Sequence, residues 1–217
     1  MEDKGKELKG KGLIDYKSTK KIIEQMEQCI YSINLGNNQF TGFVCKIPFS
    51  NENDQFPVLI TQNSIKDFDL LLQKNGKLQI YKMKDFNDKI KYQYKEDINI
   101  KDEKEMKLLN LEDRLIYLSK KYNTTIIEIK EEDNINNFIE LDKNMLNDKV
   151  NDNIKYLNET IYIIQYIGND LNISYGIINK IDDTKYYFNH NCSTKQGSLG
   201  SPIIRKNNKL IGIHIGK

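Results

Sequence analysis

From residue 40 onward the chain is dominated by short runs of Ile, Val, Tyr, Phe and Thr, broken at near-regular intervals by Asn, Asp and Gly. The runs are FTGFVCKI (40–47), FPVLIT (56–61), KLQIYKM (77–83), DKIKYQY (88–94), LIYL (115–118), TTIIEIK (124–130), TIYIIQYI (160–167), ISYGIINKI (173–181), KYYFNH (185–190), SPIIRK (201–206) and KLIGIHI (209–215). Branched and aromatic side chains suit a pleated, half-buried surface, and the intervening residues tolerate the positive φ of tight turns. Asn75-Gly76 and Asn207-Asn208 are such turns. Many short strands at this spacing predict an all-β sandwich or barrel. Two stretches depart from the pattern. Residues 18–30 carry Ile22, Ile23, Met26 and Ile30 on roughly one face, so they predict a short amphipathic helix capped by Ser18 or Thr19. Short helical turns are expected at 102–110 and 140–150.

Charge narrows the function classes. Thirty-three basic and 31 acidic residues leave a net charge of +2. That balance provides no electrostatic case for nucleic acid or an anionic membrane. The lysines of residues 1–17 are interleaved with Glu2, Asp3 and Glu7, which reads as a polar, solvated tail. No apolar run reaches the roughly 18 residues a membrane span needs, and the charged start lacks a signal peptide's apolar core. Three cysteines, Cys29, Cys45 and Cys192, do not make a disulfide framework. A cytoplasmic or otherwise intracellular protein is the expectation. Heavy use of Asn, Ile, Lys and Tyr is what AT-rich genomes produce, as in some protists and giant DNA viruses.

Three segments carry chemistry. Gln196-Gly197-Ser198-Leu199-Gly200-Ser201-Pro202 resembles the nucleophile loop of the trypsin-like serine proteases, Gly-x-Ser-Gly-Gly/Ser-Pro. Glycines are needed there because the backbone must fold tightly enough to aim two N–H groups at one oxyanion. Thr41-Gly42-Phe43-Val44-Cys45, with Val58 through Ile65, resembles the family's GTGF and VLTxxHV stretches. Tyr122 through Ile129 resembles the strand that supplies the orienting Asp. Tyr166 through Ile178 resembles the strand before the nucleophile loop. The resemblance covers roughly 38–216, in the family's order of base, acid and nucleophile.

This resemblance implies two antiparallel β-barrels of the trypsin-like (chymotrypsin) fold with a short N-terminal helix. Residues 18–130 would hold the helix and first barrel, and 131–217 the linker (EEDNINN, 131–137) and second barrel. The family usually adds another strand and a helix after the segment matching LIGIHIG, so the second barrel is expected to be truncated, or its edge covered by the N-terminal helix.

The triad positions implied by the resemblance are Ser64 for the base, Asn123 for the acid and Leu199 for the nucleophile. Ser64 has no group titrating near neutrality, Asn123 carries no charge, and Leu199 has no nucleophile. Gly197, Ser198, Leu199 and Gly200 would form a vestigial oxyanion loop, with His214 and Cys192 as cleft-lining candidates. The expectation is a pseudoprotease, not an enzyme, that needs no cofactor and binds a protein or extended peptide as scaffold or regulator. Alternatives are a structural component of a viral or protist particle and an active hydrolase with a rearranged site. A pairing of Ser198 with His214 is conceivable for the last. His190 and Cys192 alone are too few for a structural metal.

Overall fold

A computed structural model describes residues 14–35, 38–48, 55–62, 77–83, 104–145, 156–182 and 187–216. Within these residues helix α1 (Tyr16–Cys29) is followed by twelve strands. These are β1 (Ile30–Leu35), β2 (Asn38–Pro48), β3 (Gln55–Gln62), β4 (Lys77–Met83), β5 (Lys104–Asn110), β6 (Ile116–Ser119), β7 (Thr124–Glu128), β8 (Thr160–Ile167), β9 (Asp170–Ile181), β10 (Phe188–His190), β11 (Pro202–Arg205) and β12 (Leu210–Ile213). Seven form one antiparallel sheet in the order β5-β4-β1-β2-β3-β7-β6; five form a second in the order β10-β9-β8-β11-β12. The expected all-β, two-sheet architecture with one N-terminal helix is therefore present. The expected strand at 88–94 lies outside the described residues.

The helix starts earlier than its apolar pattern suggested. Asp15, not Ser18 or Thr19, is the N-cap: its carboxylate accepts from the Ser18 N–H at 3.0 Å and the Ser18 hydroxyl at 2.9 Å. Ser18 and Thr19 thus fall inside the first turn. Ile22, Gln25 and Cys29 are the buried face. Gln25 carries the helix onto the second sheet. Its amide donates to the Asn208 carbonyl at 2.9 Å, and its oxygen accepts from the Tyr162 hydroxyl at 2.8 Å.

Residues 104–110, expected to be helical, are β5. They pair with β4 along its whole length, from Lys77↔Asn110 to Met83↔Lys104. A cross-strand partner decides such an ambiguous stretch, and local sequence does not contain that information.

Strand β8 explains why TIYIIQYI reads as a nearly unbroken apolar run. Both of its faces are covered. Ile161 and Ile163 pack with Ile178, Cys192, Ile203 and Ile211. Tyr162, Ile164 and Tyr166 face the other way and join the large core of the first sheet, with Ile33, Phe43 and Leu59. The two sheets therefore share one core across their seam.

The connection between the sheets is pinned at both ends. Arg114, at 9% exposure, donates to the Asn110 carbonyl at 2.7 Å and the Glu128 carbonyl at 2.8 Å. Its guanidinium also forms a fork on Asp133 at 2.6 and 3.0 Å. Asp133 in turn accepts from the Lys130 N–H at 2.8 Å, which closes the 3-10 turn Glu131–Asp133. Further on, Arg205 reaches Asp142 at 2.7 Å and Glu159 at 3.2 Å. Arg114→Ala would leave the Asp133 carboxylate buried without its partner. A loss of about 3–5 kcal/mol is expected for breaking a buried pair in this way. A urea unfolding curve checks it, and a loss below about 1 kcal/mol would contradict the assigned role.

Candidate functional site in the seam between the sheets

The loop read as the nucleophile loop lies in the seam, and Thr41 of β2 holds it there. The Thr41 N–H donates to the Leu199 carbonyl at 2.9 Å. Its hydroxyl donates to the Gly197 carbonyl at 2.8 Å and accepts from the Tyr166 N–H at 2.9 Å. Its carbonyl accepts from the Thr61 hydroxyl at 2.9 Å. One residue, through its backbone and its hydroxyl, thus ties β2, β3, β8 and the loop together. Gly197 and Gly200 adopt φ of 97° and 87°. A Cβ at Gly200 would run into the Thr41 carbonyl oxygen, and one at Gly197 would meet the Tyr166 carbonyl oxygen. Both glycines are therefore required by close backbone approach as well as by conformation.

Within the loop, the Ser198 hydroxyl donates to the Lys195 carbonyl at 2.6 Å, and Ser198 is buried. It does not pair with His214. Leu199 is half-buried and packs against the large core. Asn123 occupies a left-handed turn at φ 51°, directly before β7. Ser64 lies outside the described residues. Cys192 is buried in the second sheet's own cluster and does not line the pocket below, and burial pushes its thiol up to about 11. At that value it stays protonated at neutral pH and is a poor nucleophile.

A pocket of about 170 Å³ opens beside this loop. Tyr122 and Thr124 come from the first sheet; Tyr187, His190, Ile213 and His214 come from the second. The Tyr187 hydroxyl donates to the Lys121 carbonyl at 3.1 Å and so bridges the two sides of the wall. His190 and His214 meet inside it, with Nε2 of His190 3.2 Å from Nδ1 of His214. Strand alternation puts His190 on the same face of β10 as Phe188, and both line the pocket; the pairing with β9 skips Asn179 opposite this point. His214 is fixed through its backbone: its N–H donates to the Ser201 carbonyl and its carbonyl accepts from the Gly200 N–H, both at 2.8 Å. Burial, and then the neighbouring His190, pull His214 down to about 4; burial also lowers His190.

Both histidines, the only two in the chain, were conspicuous in the sequence, but their meeting was not. They are 24 residues apart and meet because β10 and the segment after β12 both border the pocket. Thr41 stands in the TGFVC motif, but its clamping role depends on partners 20 to 156 residues away in sequence. Among the described residues, no group of three or more His, Cys, Asp or Glu side chains is placed to hold a metal. A larger groove of about 580 Å³ runs along the connection beside Lys46, Phe138, Glu140 and Lys209. Its charges are partly engaged: Lys209 sits 3.4 Å from Glu140, and Lys46 lies over the Phe138 ring. The smaller pocket contains the titratable pair, so it is the better candidate site.

Comparison with known proteins agrees with this geometry. The model of the trypsin-like peptidase domain matches residues 117–213. The crystal structure of Deg5 superposes with a TM-score of 0.56 at 12% identity, over 93% of this chain and 85% of that one. The Rv3671c protease in its inactive form superposes with a TM-score of 0.53 at 10% identity, over 94% and 85%. At such identities the likeness is one of fold. No curated protein matches the sequence. The expectation that the chain is not an enzyme is corrected by the family match, because a peptidase-domain model over residues 117–213 points to a protease.

Two outcomes follow from the site's construction. Thr41→Val keeps the shape but strands the Tyr166 N–H and the Gly197 carbonyl. The expected cost is about 1–3 kcal/mol in chemical unfolding, with Thr41→Ser near wild type. The second concerns pH. An unfolded histidine titrates near 6.5, whereas folded His214 is held near 4. The unfolded chain therefore binds more protons between those values, and stability falls as pH drops from about 6.5 towards 4. Thermal unfolding across that window should show the decline, and His214→Phe should flatten it.

Proposed function

We propose that this chain, which has the trypsin-like serine protease fold, acts by taking hold of an extended polypeptide in the seam between its two sheets, as a protein-binding scaffold or regulator. The observation that carries the proposal is the position of the pocket. It lies beside residues 214–216, which run past the end of β12 outside the strand ladder, with Gly216 exposed. Beyond His214, whose backbone is bonded to the 200–201 loop, Ile215 and Gly216 leave main chain next to a side-chain pocket, which suits β-strand addition: main-chain hydrogen bonds supply affinity and the pocket supplies selectivity. Asn123 and Leu199 contribute no ionisable group or nucleophile, which supports recognition as the site's principal work.

A second reading, peptide hydrolysis, is favoured by the peptidase-domain match. It uses the same seam, so one experiment addresses both. A library of synthetic decapeptides is titrated against the protein, and each mixture is then examined by mass spectrometry. Saturable binding is expected, weakened at least tenfold by Ile215→Pro, which removes a main-chain N–H beside the pocket. Fragments that appear with time, together with labelling by a fluorophosphonate, would establish the hydrolytic reading instead. No binding by any peptide would contradict the proposal.

A further inference from the structure

We propose that the groove along the connection between the sheets is a binding site for a small organic phosphate monoester, with the phosphate among lysines and an apolar body against Phe138. The groove shares no lining residue with the seam pocket, and the proposal does not rest on the recognition reading above.

The floor of the groove is main chain held on both sides. The Ile139 N–H donates to the Val44 carbonyl of β2 at 2.9 Å. The Leu210 N–H of β12 donates to the Glu140 carbonyl at 2.8 Å, and the Asp142 N–H to the Leu210 carbonyl at 2.9 Å. Onto this floor three separate parts of the chain bring lysines: Lys46 from β2, Lys143 from the 3-10 turn Lys143–Met145, and Lys209 from the residue before β12. Phe138 packs against the large core and also lines the groove, so it is a fixed apolar platform.

The charges select the ligand. Three ammonium groups line the groove against one carboxylate, that of Glu140. The whole chain has a net charge of only +2, so this one groove concentrates an excess of equal size. Glu140 neutralises little: its side chain is 74% exposed and reaches Lys209 at 3.4 Å, and a pair so exposed is weak. The neighbouring carboxylates are engaged elsewhere. Asp142 and Glu159 are taken up by Arg205 at 2.7 and 3.2 Å, and Glu132 and Asp133 border a different hollow with Lys107 and Arg114. Among the described residues Lys46 and Lys143 form no ion pair. The Lys46 ammonium lies over the Phe138 ring, 5.1 Å from its centroid, which places it within the groove. No guanidinium lines the groove to offer a carboxylate its planar fork. Ammonium groups act as point charges, so the attraction follows the charge of the ligand. A phosphate monoester carries about −1.5 to −2 at neutral pH and matches the excess. A volume of about 580 Å³ lies within the roughly 300–1,000 Å³ of small-molecule sites and leaves room beside the phosphate for the body that Phe138 would cover.

Four probes separate charge from shape: phenyl phosphate, benzenesulfonate, benzoate and inorganic phosphate, each titrated into the full chain by calorimetry at neutral pH. Phenyl phosphate should bind saturably, about fivefold or more tightly than either singly charged ring compound, because its dianion meets the full excess of ammonium charge. Inorganic phosphate, which has no apolar body, should be weaker than phenyl phosphate by a similar factor. Raising sodium chloride from about 50 to 300 mM should weaken phenyl phosphate severalfold, as screening of exposed charge requires. Lys46→Gln and Lys209→Gln should each weaken it about fivefold or more, whereas Glu140→Gln should strengthen it. Circular dichroism checks that these variants are folded. Equal binding of phenyl phosphate and benzenesulfonate would overturn the dianion assignment. Inorganic phosphate binding as tightly as phenyl phosphate would overturn the apolar body, and with it the ligand class. Phenyl phosphate binding that is unchanged in both lysine variants, or absent from the wild-type protein, would overturn the site itself.

Discussion

Thr41 is the contact on which the rest of the site depends. Its N–H, hydroxyl and carbonyl together make four hydrogen bonds that join β2 to β3, to β8 and to the 197–200 loop. All of this is buried, so each group must find its partner within the protein. The two glycines allow the loop to lie against β2 closely enough for those bonds to form. Once the loop is seated, the Gly200 N–H and the Ser201 carbonyl hold the backbone of His214, and His214 forms one side of the pocket. The order of dependence therefore runs from the clamp to the loop, and from the loop to the pocket.

The same seam shows why the two sheets behave as one unit. β8 presents opposite faces to two apolar clusters, and the helix reaches from the first sheet to Asn208 and Tyr162 in the second. Arg114 and Arg205 fix the connection that passes between them. A pocket with one wall from each sheet retains its shape only if the sheets keep their relative position. These three ties accomplish that.

Much of the fold was legible because burial and periodicity act locally. The bounds of β4 and β8 coincide with the runs 77–83 and 160–167. The loop at 196–202 was legible because glycine and proline mark backbone geometry that few other residues permit. What escaped depended on partners remote in sequence. β5 is a strand because β4 lies beside it, and residues 104–110 do not contain that fact. The helix begins at Tyr16 because Asp15 caps it, whereas the apolar pattern starts only at Ile22. The histidine pair needs β10 and the segment after β12 to be brought to one pocket, and neither segment contains that fact. The correction on enzymatic status has a related origin. Single residues such as Ser64, Asn123 and Leu199 do not reveal what the pattern of a whole segment, 117–213, shares with a peptidase domain.

A crystal structure of the protein with a bound peptide tests the central claim most directly. The account predicts a peptide main chain running beside residues 214–216, with one side chain in the pocket between Tyr122 and His190. A peptide seated instead in the groove beside Lys46 and Phe138, with the seam pocket empty, would contradict it.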